Sequence, residues 1–187
     1  VDLYKKALRF LDNNGMHDLS TVLEWGPGGG ANALAFLEAF KCRYIGVDIS
    51  QENLDETSKM VNSHDLDNFD GFHIDIHAPE AIFDQVPANS VDLFLCTAVF
   101  PHLPDKDYAC RIIDIASKII KDGGLCILHV LNVDEVKIEY GDYNKDVHRN
   151  TVFTYEETIQ SQADAGLTNL LCIRDSVASY SYYFSRK

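Results

Sequence analysis

The sequence predicts a three-layer α/β/α sandwich built on a seven-stranded, mostly parallel sheet, and three observations carry that reading. Short apolar runs alternate with amphipathic helical stretches along all 187 residues, the pattern of repeated βαβ units. A glycine-rich segment, Gly26-Pro27-Gly28-Gly29-Gly30, joins the first run to the helix after it, the order of a nucleotide-binding βα unit. Only residues 175–178 separate the last two runs, too few for a parallel crossover, so those strands pair antiparallel.

The elements follow in order. Residues 2–14 place Leu3, Tyr4, Ala7, Leu8, Phe10 and Leu11 at helical spacing and stop at Asn13-Asn14-Gly15, a helix-ending signal. Residues 21–25 form a short buried strand and 31–40 a helix, followed by a strand over 43–48 and a helix over 51–62. Strands are expected over 71–75 and 90–97. Residues 105–121 are amphipathic, with Ala109, Ile112, Ile113, Ile115, Ala116, Ile119 and Ile120 at helical spacing before the Lys121-Asp122-Gly123-Gly124 turn. A buried strand over 125–131 comes next. After a polar, irregular stretch, a helix over 155–165 stops at Gly166, and strands over 167–174 and 179–185 close the chain. No repeat, low-complexity tract or linker divides residues 1–187, so a single domain is expected.

Composition narrows the function classes. A formal net charge of -13 disfavours nucleic acid, whose binding relies on clustered Lys and Arg. No run reaches the roughly 18 apolar residues of a membrane span. Cys42, Cys96, Cys110, Cys126 and Cys172 are scattered singly, with no CxxC pair, a pattern expected of buried reduced thiols in a cytoplasmic protein. The chain begins Val1-Asp2-Leu3 without an initiator Met or a secretory apolar stretch, as expected of a processed, trimmed or excised sequence.

The chemistry gathers at the ends of the first three strands. Glycines let the backbone turn sharply and admit a ligand where a Cβ would intrude. Glu24 precedes the loop, Asp48 closes the second strand about 20 residues beyond it, and Asp75 closes the third. An acid at the second position bonds ribose hydroxyls in such folds. In a parallel sheet all three ends share one edge, so the three acids are expected around one crevice. They suit a cationic or zwitterionic ligand carrying a ribose, not a polyanion.

With these residues in place, Glu24-x-Gly26-x-Gly28-x-Gly30 resembles motif I of the class I, Rossmann-like S-adenosylmethionine-dependent methyltransferases. Gly46-Val47-Asp48-Ile49-Ser50 resembles the second motif, Asp75-Ile76 the third, and Ser90-Val91-Asp92-Leu93-Phe94-Leu95-Cys96-Thr97 the fourth-strand motif. Lys121-Asp122-Gly123-Gly124 resembles the turn before strand five, and the similarity spans nearly the whole chain. The resemblance implies S-adenosylmethionine as cofactor and S-adenosylhomocysteine as product. It implies cofactor contacts from Glu24, Gly26, Pro27, Gly28, Gly30, Asp48, Ile49, Asp75, Ile76 and Thr97. Asp48 is expected on the ribose diol, Ile49 on the adenine face and Asp75 at the adenine amino group. One departure stands out: the helix before the first strand is short, where relatives often carry a longer cap.

His102, after the fourth strand, sits where many small-molecule methyltransferases carry a histidine, and it is the candidate general base if the acceptor is a hydroxyl; a plain loop or capping role is the alternative. His129 is expected to be a core histidine. Around Asp75, the pattern His73-x-Asp75-x-His77 hints at a metal, but Asp75 already has a cofactor role and no metal is expected. The polar stretch 140–150 supplies Tyr143, His148 and Arg149 as candidate acceptor contacts, with an ordinary solvated loop as the alternative. A small-molecule acceptor is expected. A nicotinamide-dependent oxidoreductase would show G-x-G-x-x-G and no acid facing its pyrophosphate. A non-catalytic cofactor-binding module of a longer protein is the remaining alternative.

Overall fold

A computed structural model describes residues 2–133, 151–174 and 180–187, with side chains from residue 6 onward. Helix α1 (Asp2–Asn13) leads into β1 (Thr21–Trp25), α2 (Ala31–Ala39), β2 (Arg43–Asp48), α3 (Gln51–Asn62) and β3 (Phe69–His73). Then come β4 (Val91–Cys96), α4 (Lys106–Ile119), β5 (Ile120–Leu131), α5 (Tyr155–Asp164), β6 (Thr168–Arg174) and β7 (Tyr180–Arg186). The strands form one sheet in the order β3-β2-β1-β4-β5-β7-β6. Pairs β1·β2, β2·β3, β1·β4 and β4·β5 are parallel, and β7 runs antiparallel to both β5 and β6.

Side-chain alternation builds a core on each face of the sheet. Val22, Tyr44, Leu93, Leu95 and Ile127 pack with Ala7, Phe10, Phe36 and Val61 of the first three helices. Leu23, Val47, Phe94, Cys96 and Leu128 pack with Ile112, Ile113 and Ala116 of α4, and with Leu167 beyond α5. The three-layer reading holds. The chain leaves β1 for β2 on one side and returns to β4 on the other, so the strand order reverses between β1 and β4. A crevice opens at such a switch point, outside the carboxyl ends of the strands.

Differences from the sequence reading are local. β3 begins at Phe69 and ends at His73, so Asp75 lies two residues past the strand end. The Lys121–Gly124 turn sits inside the start of β5, where the β4·β5 register slips between Val91 and Leu93 and Gly123 takes φ 81°. Two 3-10 helices, Pro79–Asp84 and Phe100–His102, each have a proline in the first turn and are too short to leave a period in the sequence. Cys42, Cys96 and Cys126 are buried, whereas Cys110 is half-buried and Cys172 exposed on the outer strand β6. Asp92, at the amino end of β4, accepts the Ser20 and Thr21 backbone N–H at 2.9 and 2.8 Å and the Lys121 ammonium at 2.6 Å. That carboxylate staples the entries of β1, β4 and β5 at the edge opposite the crevice.

Candidate cofactor site

At the switch point lies a cavity of about 620 Å³, within the range of small-molecule sites. Of the residues singled out in the sequence, Glu24, Gly26, Pro27, Gly28, Asp48, Ile49, Ile76, Thr97 and His102 line it. Gly30 and Asp75 do not. Gly30 stands just behind, as the left-handed N-cap of α2. Asp75 is exposed and accepts the His77 backbone N–H at 2.8 Å, while Ala78 N–H bonds its carbonyl at 3.0 Å; this turn directs the carboxylate to solvent and leaves Ile76 on the wall. Tyr143, His148 and Arg149 lie outside the described residues.

Glycine 26 shows why the loop needs its composition. Its φ is 77°, and a Cβ there would stand 2.3 Å from Val99 Cγ2. Any side chain would therefore be strained and would displace the chain after β4. Gly26 N–H also bonds the Val47 carbonyl at 2.7 Å, fixing the loop over the end of β2.

The two acids are prepared differently. Asp48 is buried, accepting the Ser50 backbone N–H on Oδ1 at 2.9 Å and Asn53 Nδ2 on Oδ2 at 3.1 Å. Ser50 is also the N-cap of α3, accepting Asn53 N–H, so one short turn orients both the helix and the carboxylate. A carboxylate has roughly four acceptor positions, and these bonds leave capacity for a diol. Glu24 is 1% exposed. It accepts Asn32 Nδ2 at 2.6 Å and the Tyr44 hydroxyl at 2.7 Å, with Thr97 Oγ1 at 3.4 Å. Burial pushes its carboxyl up to about 7, the three donors oppose that rise, and the negative Asp48 adds a little to it. Tyr44 is held well above its ordinary value by burial and by the adjacent Glu24.

Among the described residues, no Lys or Arg lines the cavity, so an anionic group such as a pyrophosphate meets no counter-charge from them, whereas a cation meets two carboxyls. Ile49 is 47% exposed on the wall, an apolar surface suited to a flat ring. Ala98 and Val99 follow Thr97 along the opposite side, where His102, Leu103 and Tyr108 continue the wall. Asn32, Asn53 and Tyr108 went unnoticed in the sequence. Their signal is helical phase: Asn32 is the second residue of α2, and Asn53 and Tyr108 each lie three residues past an N-cap, Ser50 and Asp105. Among the described residues, no group of three or more His, Cys, Asp or Glu side chains is arranged to hold a metal.

Residues 2–170 match the family model described as a methyltransferase domain. The chain belongs to that family. A ubiquinone biosynthesis O-methyltransferase of Psychrobacter arcticus is 30% identical over 111 residues, 59% of this chain and 40% of that protein; the methyltransferase domain here thus spans well under two thirds of its relative. Among solved structures, an S-adenosylmethionine-dependent methyltransferase from Clostridium acetobutylicum superposes with a TM-score of 0.76 at 16% identity, covering 98% of this chain and 89% of that one. A putative sarcosine dimethylglycine methyltransferase from Galdieria sulphuraria gives 0.78 at 13% identity, covering 100% and 85%. At such identities these two establish the fold. The cofactor of the methyltransferase domain is S-adenosylmethionine, and the glycine cradle, the paired acids and the apolar Ile49 fit its methionine, ribose and adenine parts.

Proposed function

We propose that this domain transfers a methyl group from S-adenosylmethionine to a hydroxyl of a small, largely apolar acceptor, with His102 receiving the hydroxyl proton. The observation that carries the proposal is one continuous cavity holding both the Gly26/Asp48 cofactor wall and an exposed His102 beside Leu103 and Tyr108. The family resemblance assigns Glu24, Gly26, Pro27, Gly28, Gly30, Asp48, Ile49, Ile76 and Thr97 to the cofactor, and Asp75 with them. Bound there, the cofactor supplies an electrophilic methyl on a sulfonium. What the chain contributes is alignment, which is worth on the order of several kcal/mol. Asp48 fixes the sugar end, Gly26 lets the ligand lie against main chain, and Val99, Leu103 and Tyr108 exclude water on the acceptor side.

A hydroxyl is protonated at neutral pH, so a base is needed and an imidazole suits the task. His102 closes the 3-10 helix Phe100–His102, held by its own N–H bonding Val99 carbonyl at 2.8 Å. An acceptor with a large apolar surface suits Val99, Leu103 and Tyr108 on the described wall; nucleic acid is disfavoured by the chain's charge of -13. The Psychrobacter relative is named for O-methylation, which agrees with a hydroxyl. Tyr143, His148 and Arg149 are assigned to acceptor contact and the protein to the cytoplasm, the latter from its unpaired cysteines.

Radiolabelled methyl transfer to a panel of phenols, catechols and primary amines tests the proposal. Phenolic products are expected, with His102→Gln lowering kcat at least about 100-fold while leaving S-adenosylhomocysteine affinity within twofold. Transfer to amines alone, or full O-methylation by His102→Gln, would overturn it.

A further inference from the structure

Among the described residues, Ala98 is the one non-glycine residue on the cavity wall with positive φ, at 58°. For an L-residue that conformation is strained, and it persists only where the surroundings impose it. Beyond it the chain runs through Val99, which presses on Gly26, to His102. The loop is held from α5's side by Thr151, whose hydroxyl donates to the Leu103 carbonyl at 2.9 Å and whose N–H bonds the Pro101 carbonyl at 3.4 Å. Its start is held by His129 of β5: the Ala98 backbone N–H donates to His129 Nδ1 at 3.3 Å. His129 does not line the cavity. Its ring is instead stacked on Tyr182 and Tyr180 of β7, with centroids at 4.3 and 4.8 Å and interplanar angles of 14° and 24°. From α1 the Lys6 ammonium lies over the nearer ring, 5.0 Å from the Tyr182 centroid.

We propose that His129 is a positioning residue: clamped between the two tyrosines, it holds Ala98 in its strained turn through Nδ1, and only while its imidazole is neutral. The chemistry is direct. A backbone N–H always donates, so the nitrogen facing it must carry a lone pair, and the ring's proton sits on Nε2. Protonation turns Nδ1 into a second donor aimed at the first, and the turn loses the contact that fixes it. Among the described residues, the rings of Tyr180 and Tyr182 and the Ala98 amide face the imidazole, and the Lys6 ammonium lies over the Tyr182 ring. Since the held segment carries His102 and Val99, the device rests on the methyltransferase reading for its consequence, acceptor-loop order, but not for its test.

Amide hydrogen exchange of the unliganded chain, followed by NMR from pH 5.5 to 8.5 and corrected for intrinsic rates, provides that test. At pH 8.5, His129→Phe keeps the stack and removes the acceptor, so exchange at Ala98 and Val99 is expected to rise at least tenfold, with Leu128 and Tyr183 unchanged as a check on folding. His129→Asn offers Oδ1 in place of Nδ1 and should restore protection without pH dependence. In the wild type, protection at Ala98 should fall through the midpoint of the His129 ring's own titration. Unchanged exchange at Ala98 in His129→Phe would overturn the proposal, as would loosening spread evenly over β5 and β7, or protection that survives protonation of the ring. Each readout is independent of cofactor and acceptor, so their failure is separable from failure of methyl transfer.

Discussion

Glu24 is the residue with the largest consequence for pH. Its folded value of about 7 lies above the ordinary 4.5, so between those limits the folded chain holds a proton that the unfolded chain has released. Stability from this group is complete below about pH 4.5 and is lost as pH rises through 7. The span is about 3 kcal/mol at one pKa unit per 1.36 kcal/mol. Urea unfolding of wild type at pH 5 and pH 8, beside Glu24→Gln, checks it: the wild type should lose most of that amount over the interval and the variant should not. Gly26→Ala is a second test at this scale. Positive φ and the 2.3 Å approach to Val99 together predict a loss of about 1–3 kcal/mol in stability and at least tenfold weaker S-adenosylhomocysteine binding by calorimetry. Both acids and the glycine were legible in the sequence because backbone conformation and charge at strand ends are local properties. Asp75 lies two residues past the strand end expected for it, in a turn closed by the His77 and Ala78 N–H groups that no residue pattern announces. Asn32 escaped for the reverse reason: an asparagine in an apolar helix start has meaning only once β1 and α2 are packed together.

Helix α4 shows what the elements add. Its apolar side, Ile112, Ile113, Ala116 and Ile119, is fully buried, and the sequence period predicts both the helix and its face. The N-cap, Asp105, accepts the Tyr108 N–H at 2.7 Å, and Tyr108 lines the cavity one turn in. Asp105→Ala should therefore cost about 1 kcal/mol in thermal or urea unfolding and loosen the acceptor wall. The corresponding change at α5, Thr154→Ala, removes a capping box with Glu157; it should cost a similar amount without affecting cofactor binding, since α5 does not border the cavity. Elements with a strong period were predicted within a few residues. The 3-10 helices were not, because three to six residues held by proline and neighbouring carbonyls carry no repeat, and one of them delivers His102 to the wall.

For the whole molecule, topology does the work of assembly. The order β3-β2-β1-β4-β5-β7-β6 brings Gly26, Asp48 and Thr97, up to 71 positions apart in sequence, to one edge, and leaves Asp92 to staple the other. Alternation of strand and helix made the parallel sheet predictable, and the short gap expected over residues 175–178 made the reversal of the last strand predictable. Less legible was the cavity wall proposed for the acceptor, where Val99, Leu103 and Tyr108 meet only after β4 and α4 have packed. The central claim is that this crevice binds a sulfonium nucleoside, and titration calorimetry tests it most directly. Purified chain is titrated with S-adenosylmethionine and S-adenosylhomocysteine, with NAD as control and Asp48→Ala as the site variant. Micromolar binding of both sulfur compounds is predicted, with no response to NAD and at least a tenfold loss, about 1.4 kcal/mol, in Asp48→Ala. A folded sample that binds neither, or that binds both equally well without the Asp48 carboxylate, would contradict the account.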